Sequence, residues 1–149
     1  MPILIDTSVL GRLANTSDLR YPTAIKALAE LHRRGESLLM TPQNITEFWA
    51  VATRPVAVNG LGLSAIATKL EVDKFRAMFP VVDETPAIFP VWLSIVEALG
   101  ILGKQVHDAR LVSFCHVHGI DKILTFNLTH FARLVTFGPG LVVLDPASF

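Results

Sequence analysis

The stretch Pro2-Ile3-Leu4-Ile5-Asp6-Thr7-Ser8-Val9-Leu10 decides how the rest of the chain is read. Ile3, Leu4 and Ile5 are consecutive and apolar, the pattern of a strand covered on both faces in a parallel sheet. A strand with one wet face would alternate. Asp6 ends the run and so falls at the carboxyl end of an inner strand, the edge at which ligands bind in open α/β sheets. Simple capping of the next helix by Asp6 or Thr7 accounts for the same residues without a site.

Composition narrows the class. With 149 residues the chain has the length of one domain, 1–149, and can bury a real core. Hydrophobic residues make up 51% and mean hydropathy is +0.48, which raises the question of a membrane span. The most apolar window, Ala87 to Leu102, is interrupted by Pro90, Ser94 and Glu97 and is short for a span, so a buried helix and no membrane are expected. No basic segment precedes an apolar one at the start, so no signal peptide is expected. A lone Cys115 has no internal disulfide partner and suits a reducing, cytoplasmic setting. Thirteen basic and 13 acidic residues give zero net charge, so nucleic acid would be bound through a local patch.

Apolar strand-like runs alternate with helical periods, without internal repeats, and this argues for an α/β sandwich. A short helix is expected over Thr7 to Ala14. Tyr21 to Arg34 reads as an amphipathic helix with Ile25, Leu28, Ala29 and Leu31 on one stripe. Ser37 to Met40 is a second strand, and Thr41-Pro42 supplies a cap and first-turn proline for a helix through about Arg54. Pro55 to Leu63 is a loop, Ser64 starts a helix to about Met78, and Pro80 to Asp83 is a third strand. Pro86 opens the apolar helix, in which Ile88, Trp92, Ile95, Leu99 and Leu102 recur at helical spacing up to Gly103. A further helix covers Val106 to His118, closed by Gly119. Lys122 to Thr125 is a fourth strand, Asn127 to Leu134 a short helix, and Leu141 to Leu144 a last strand. Four or five parallel strands result.

On this layout Asp6 ends the first strand, Glu47 lies in the first two turns of the helix after the second, and Asp108 begins the helix before the fourth. Asn127 adds a neutral oxygen at another such junction. Carboxylates within about 4 to 6 Å of one another repel by several kcal/mol in a partly buried site, so a cluster implies a cation. Hard oxygen ligands favour Mg²⁺ or Mn²⁺. No Gly-rich phosphate loop and no Gly-x-Ser-x-Gly elbow occurs, which disfavours nucleotide or ester hydrolysis. His107-Asp108 also fits an HD-type phosphohydrolase, but that fold is all-helical. His116 and His118 lie two apart on a helix and point to different sides, so they suit core or surface roles.

Four motifs carry a family resemblance across nearly the whole chain: Ile5-Asp6-Thr7-Ser8-Val9, Asn44-Ile45-Thr46-Glu47-Phe48, His107-Asp108-Ala109-Arg110-Leu111 and Ile123-Leu124-Thr125-Phe126-Asn127. In order and spacing they resemble the PIN (PilT N-terminus) domain nucleases, including the VapC-type toxins of bacterial toxin-antitoxin pairs. The resemblance implies a PIN-like α/β/α sandwich with a central four- to five-stranded parallel sheet. It also implies that Asp6, Glu47 and Asp108 are catalytic metal ligands. Asn127 stands where many members have a fourth Asp, which leaves a less charged site, and Thr125 matches the hydroxyl often found just before it.

The implied activity is that of a metal-dependent endoribonuclease hydrolysing RNA phosphodiester bonds with Mg²⁺ or Mn²⁺. Glu47 either binds metal or positions the water. Thr7, Arg12, Arg54, Arg110 and Thr125 are the candidate RNA contacts, the arginines because each lies within two turns of a proposed ligand. A homodimer and a small antitoxin protein are the implied partners. The apolar loop and helix bearing Val56, Val58, Leu61, Leu63, Ile66, Leu70, Phe75 and Phe79 are the expected interface. The competing class is a catalytically weakened PIN-like RNA-binding or protein-interaction module, with Asn127 as its main support.

Overall fold

The computed structural model describes residues 1–149. Four strands, β1 (Pro2–Ile5), β2 (Ser37–Leu39), β3 (Lys122–Leu124) and β4 (Val142–Leu144), form one all-parallel sheet in the order β2-β1-β3-β4. The first strand is thus an inner one. Its side chains divide between two cores: Ile3 and Ile5 pack on one face of the sheet and Leu4 on the other, all fully buried. That is the physical reason for an unbroken apolar run, since alternate residues of a β-strand face opposite sides.

One face is covered by α1 (Thr7–Leu13), α2 (Tyr21–Arg33), α3 (Pro42–Thr53) and α4 (Ala65–Met78), the other by α5 (Ile88–Leu99), α6 (Gln105–His118) and α7 (Leu128–Ala132). The result is an α/β/α sandwich. Helix α3 begins as its sequence dictates: the Thr41 hydroxyl accepts from Asn44 N, Asn44 Oδ1 accepts from Thr41 N, and Pro42 sits in the first turn.

Three expectations change. Pro80 to Asp83 is not a full strand but a single parallel bridge from Val81 to Met40 beside β2. Pro80 has no N–H to extend a ladder, and only its carbonyl and Val82 N pair with Met40. The buried stripe of α2 is Ala24, Ala27, Leu28 and Leu31, with Ile25 and Ala29 exposed. This i, i+3, i+4, i+7 set lets two alanines bring the helix close to the sheet. Helix α5 stops at Leu99, because Gly100 takes the left-handed conformation (φ 59°) before Gly103 is reached. Leu102 therefore lies outside the helix and is 82% exposed.

Candidate active site

All four strands point the same way, so their carboxyl ends share one edge. The register pairs Ile5 with Leu124, and Asp6 N donates to the Leu124 carbonyl at 2.9 Å. Asp6 and Thr125 thus leave adjacent strands side by side. Glu47 enters from α3, Asp108 from the first turn of α6, and Asn127 from the residue capping α7. Asp6, Glu47, Asp108 and Asn127, together with Thr7, Ser8, Gly11, Arg12, Val51 and Asn59, line one cleft of about 300 Å³. A larger apolar hollow of about 580 Å³ between α2, β2 and the end of α4 contains none of these acids.

Asp6 is held almost wholly out of water, 3% exposed. Its Oδ2 accepts from the Ser8 hydroxyl at 2.7 Å, the Thr125 hydroxyl at 2.8 Å and Ser8 N at 3.3 Å. These contacts make Asp6 the cap of α1 as well. All three fall on one oxygen, which leaves Oδ1 free of hydrogen bonds from the protein. Capping and site-building are therefore the work of different oxygens of one carboxylate. The Ser8 hydroxyl also accepts from Phe126 N at 3.1 Å, and the Thr125 hydroxyl from Asn127 N at 2.9 Å, which fixes the chain leading to Asn127.

Glu47 is aimed by a second network. Its Oε2 accepts from the Thr7 hydroxyl at 3.1 Å and its Oε1 from Gln43 Nε2 at 2.5 Å. The Thr7 hydroxyl in turn accepts from Nδ2 of Asn44, a side chain with 0% exposure. Burial pushes the Glu47 carboxyl above its ordinary range; the Gln43 hydrogen bond opposes this and the Asp6 charge reinforces it. Asp108 is pushed up to about 7, first by burial and then by the Asp6 and Glu47 charges. His130 Nδ1 stands 3.6 Å from Asp108 Oδ2.

This charge arrangement fits a hard divalent cation. Three carboxylates share one cleft, and two resist ionisation partly because of the others' charge, a cost that a cation removes. The side chains do not close into a preformed cluster of three ligands. Mg²⁺ tolerates this, since it keeps several waters and takes only one or two carboxylates from the protein.

The proposed RNA contacts separate. Thr7 and Arg12 line the cleft, whereas Thr125 is fully buried and holds Asp6 instead. Arg12 lies 3.6 Å from Asp18 and, with Arg20, over the Phe126 ring. Arg54, the exposed C-terminal cap of α3, is not among the residues that line the cleft. Arg110 lies outside the cleft proper, beside Gln43. Asp83 stays away from the acids and accepts from His118 Nε2 through its carbonyl.

Sequence reasoning passed over Ser8, Gln43, Asn44 and Asn59 as site residues. Ser8 and Asn44 were legible in principle, one as the hydroxyl two residues after Asp6 and the other at the capping-box position of Thr41. Gln43 gave no local signal, since its amide bridges Glu47 to a carbonyl 64 residues away. Asn59 reaches the cleft in a left-handed conformation (φ 62°), ahead of Gly60, where a Cβ would overlap the Arg54 carbonyl.

The PIN domain family model matches residues 3–135, and the chain belongs to that family. Among curated proteins no sequence matches it significantly. Solved structures share its fold at low identity. VapBC2 from Rickettsia felis, bound to a DNA fragment from its promoter, is similar with a TM-score of 0.69 and 15% identity over 97% of this chain and 98% of that one. VapC20 from Mycobacterium tuberculosis, a toxin that cleaves the sarcin-ricin loop, gives 0.66 and 18% over 87% and 93%. VapBC-1 from nontypeable Haemophilus influenzae gives 0.68 and 15% over 98% of each chain.

Proposed function

We propose that this PIN-domain protein is a Mg²⁺- or Mn²⁺-dependent endoribonuclease, the toxin of a toxin-antitoxin pair whose partner is a small antitoxin protein. The observation that carries this reading is the meeting of Asp6, Glu47 and Asp108, with Asn127, at the carboxyl edge of the sheet. The toxin role draws on the structures of similar fold, which include toxin-antitoxin proteins.

Asp6, through Oδ1, and Asp108 are the carboxylates assigned to the metal, with the Asn127 amide oxygen beside them. When bound there, a divalent cation offsets charge on the scissile phosphate and lowers the pKa of a water. The protein's own residues set the geometry. Ser8 and Thr125 fix the rotamer of Asp6 by loading its other oxygen. Thr7 and Gln43 occupy one lone pair on each Glu47 oxygen, which leaves Glu47 able to accept a proton from a water or to join the metal shell. Arg12 supplies a cation at the rim for the RNA backbone.

The same reading assigns the protein to the cytoplasm, with its single, buried Cys115 reduced. No helix is long and apolar enough to cross a membrane. It also assigns a homodimer. Of the apolar residues expected to form its contact, Phe75 and Phe79 are buried within the protomer, while Val56, Val58, Ile66 and Leu70 remain exposed. Incubation of purified protein with RNA and Mg²⁺, with and without chelator, tests the activity. Cleavage that persists in chelator contradicts the reading. The second reading, a weakened RNA-binding or protein-interaction module, rests on Asn127, which brings no charge to the cleft; RNA binding without cleavage would favour it.

A further inference from the structure

Beside the acid cleft, past Gln43, a second hollow of about 350 Å³ is walled by Pro42, Gln43, Thr46, Glu84, His107 and Arg110. Gln43 joins the two. Its Nε2 donates to Glu47 Oε1 and to the His107 carbonyl, and its Oε1 accepts from Arg110 Nη1 at 3.1 Å. The Arg110 guanidinium is positioned on three sides: Gln43 holds Nη1, the Phe114 ring lies 5.2 Å away, and Nη2 donates to Glu84 Oε1. Gln43 and Phe114 sit on helices, whereas Glu84 lies in the exposed irregular segment after the Val81 bridge. One of the three partners is therefore easily exchanged.

A carboxylate and a phosphodiester each offer a guanidinium a pair of anionic oxygens matched to its N–H fork. We propose that Arg110 and its hollow form a phosphate subsite for the RNA strand next to the acid cleft, and that Glu84 occupies this subsite until a backbone phosphate displaces it. The inference rests on the ribonuclease reading. The exchange is energetically cheap, because an ion pair between side chains this exposed contributes little.

The test is the affinity for a single-stranded 2′-O-methyl oligoribonucleotide, which cannot be cleaved, by fluorescence anisotropy in chelating buffer. Glu84→Gln should bind about two- to fivefold more tightly than wild type. Arg110→Gln should bind more weakly and lower the slope of log K against log salt by about one. The gain from Glu84→Gln should vanish in the Arg110→Gln background, and Asp83→Asn, which removes a neighbouring exposed charge, should change little. Should Arg110→Gln fail to fold, Arg110→Lys keeps the charge, loses the fork, and should shrink the same gain. No tightening in Glu84→Gln, or tightening that persists without Arg110 or is matched by Asp83→Asn, overturns the subsite while leaving the ribonuclease reading standing. Wild type that neither binds nor cleaves RNA overturns both.

Discussion

Asp6 Oδ2 accepts the Thr125 hydroxyl at 2.8 Å across the ends of two adjacent parallel strands, and both residues are buried. The proposed metal ligand is thus locked to β3 before any ion arrives. Thr125→Val keeps the shape and removes the donor. It should destabilise the fold by about 1.5 to 3 kcal/mol, the range for a hydrogen bond to a charged group, and lower cleavage as Asp6 loses its rotamer. Urea unfolding with parallel cleavage assays checks this; unchanged stability would show that the bond contributes nothing net.

In the metal-free protein, Asp108 should contribute a loss of stability as pH rises. Asp108 titrates at about 7 when folded against an ordinary 3.8, so between those values the folded protein holds a proton that the unfolded chain has released. Stability is greatest below the lower value and falls towards the upper one. Glu47 shifts in the same direction. Thermal melts in chelator should show Tm falling across this window and a shallower fall in Asp108→Asn. Added Mg²⁺ should raise Tm more at pH 7.5 than at pH 5.5. A pH dependence of Tm that is the same in wild type and Asp108→Asn contradicts the charge arrangement.

Asn127 stands at the cleft with an uncharged oxygen and makes no side-chain cap to α7. Asn127→Asp adds an anionic ligand and should tighten divalent-metal binding about tenfold by calorimetry, on the scale of one charge close to a cation in a partly screened site. Unchanged or weaker binding would remove Asn127 from the metal shell.

Much of this geometry was legible in the sequence because it is set by local rules. The apolar run Ile3 to Ile5 marked an inner strand, and acids placed at strand ends and first turns met because parallel strands share an edge. The Thr41-Pro42 start of α3 was equally plain. What escaped depended on distant partners. Pro80 to Asp83 read as a strand but had only Met40 to pair with, and Gly100 competed with Gly103 for the end of α5. Gln43 became visible only once α6 was laid beside α3.

Leu70 and Ile66 on α4, with Val56 and Val58 before it, expose apolar surface that water disfavours. Sedimentation equilibrium at micromolar concentration should show about twice 16.3 kDa. Leu70→Glu should shift the population towards monomer. A species at monomer mass throughout would contradict the dimer.

Asp6, Glu47 and Asp108 are proposed to form a metal-dependent phosphodiester-cleaving centre. Its most direct test is RNA cleavage by wild type, Asp6→Asn and Asp108→Asn in Mg²⁺ or Mn²⁺ and in chelator, with circular dichroism confirming that each variant is folded. Wild type should cleave only with metal, and each folded variant should lose about 100-fold or more, the scale lost when a charge-stabilising group leaves an active site. Equal cleavage by wild type and both variants, or cleavage indifferent to chelator, would contradict it.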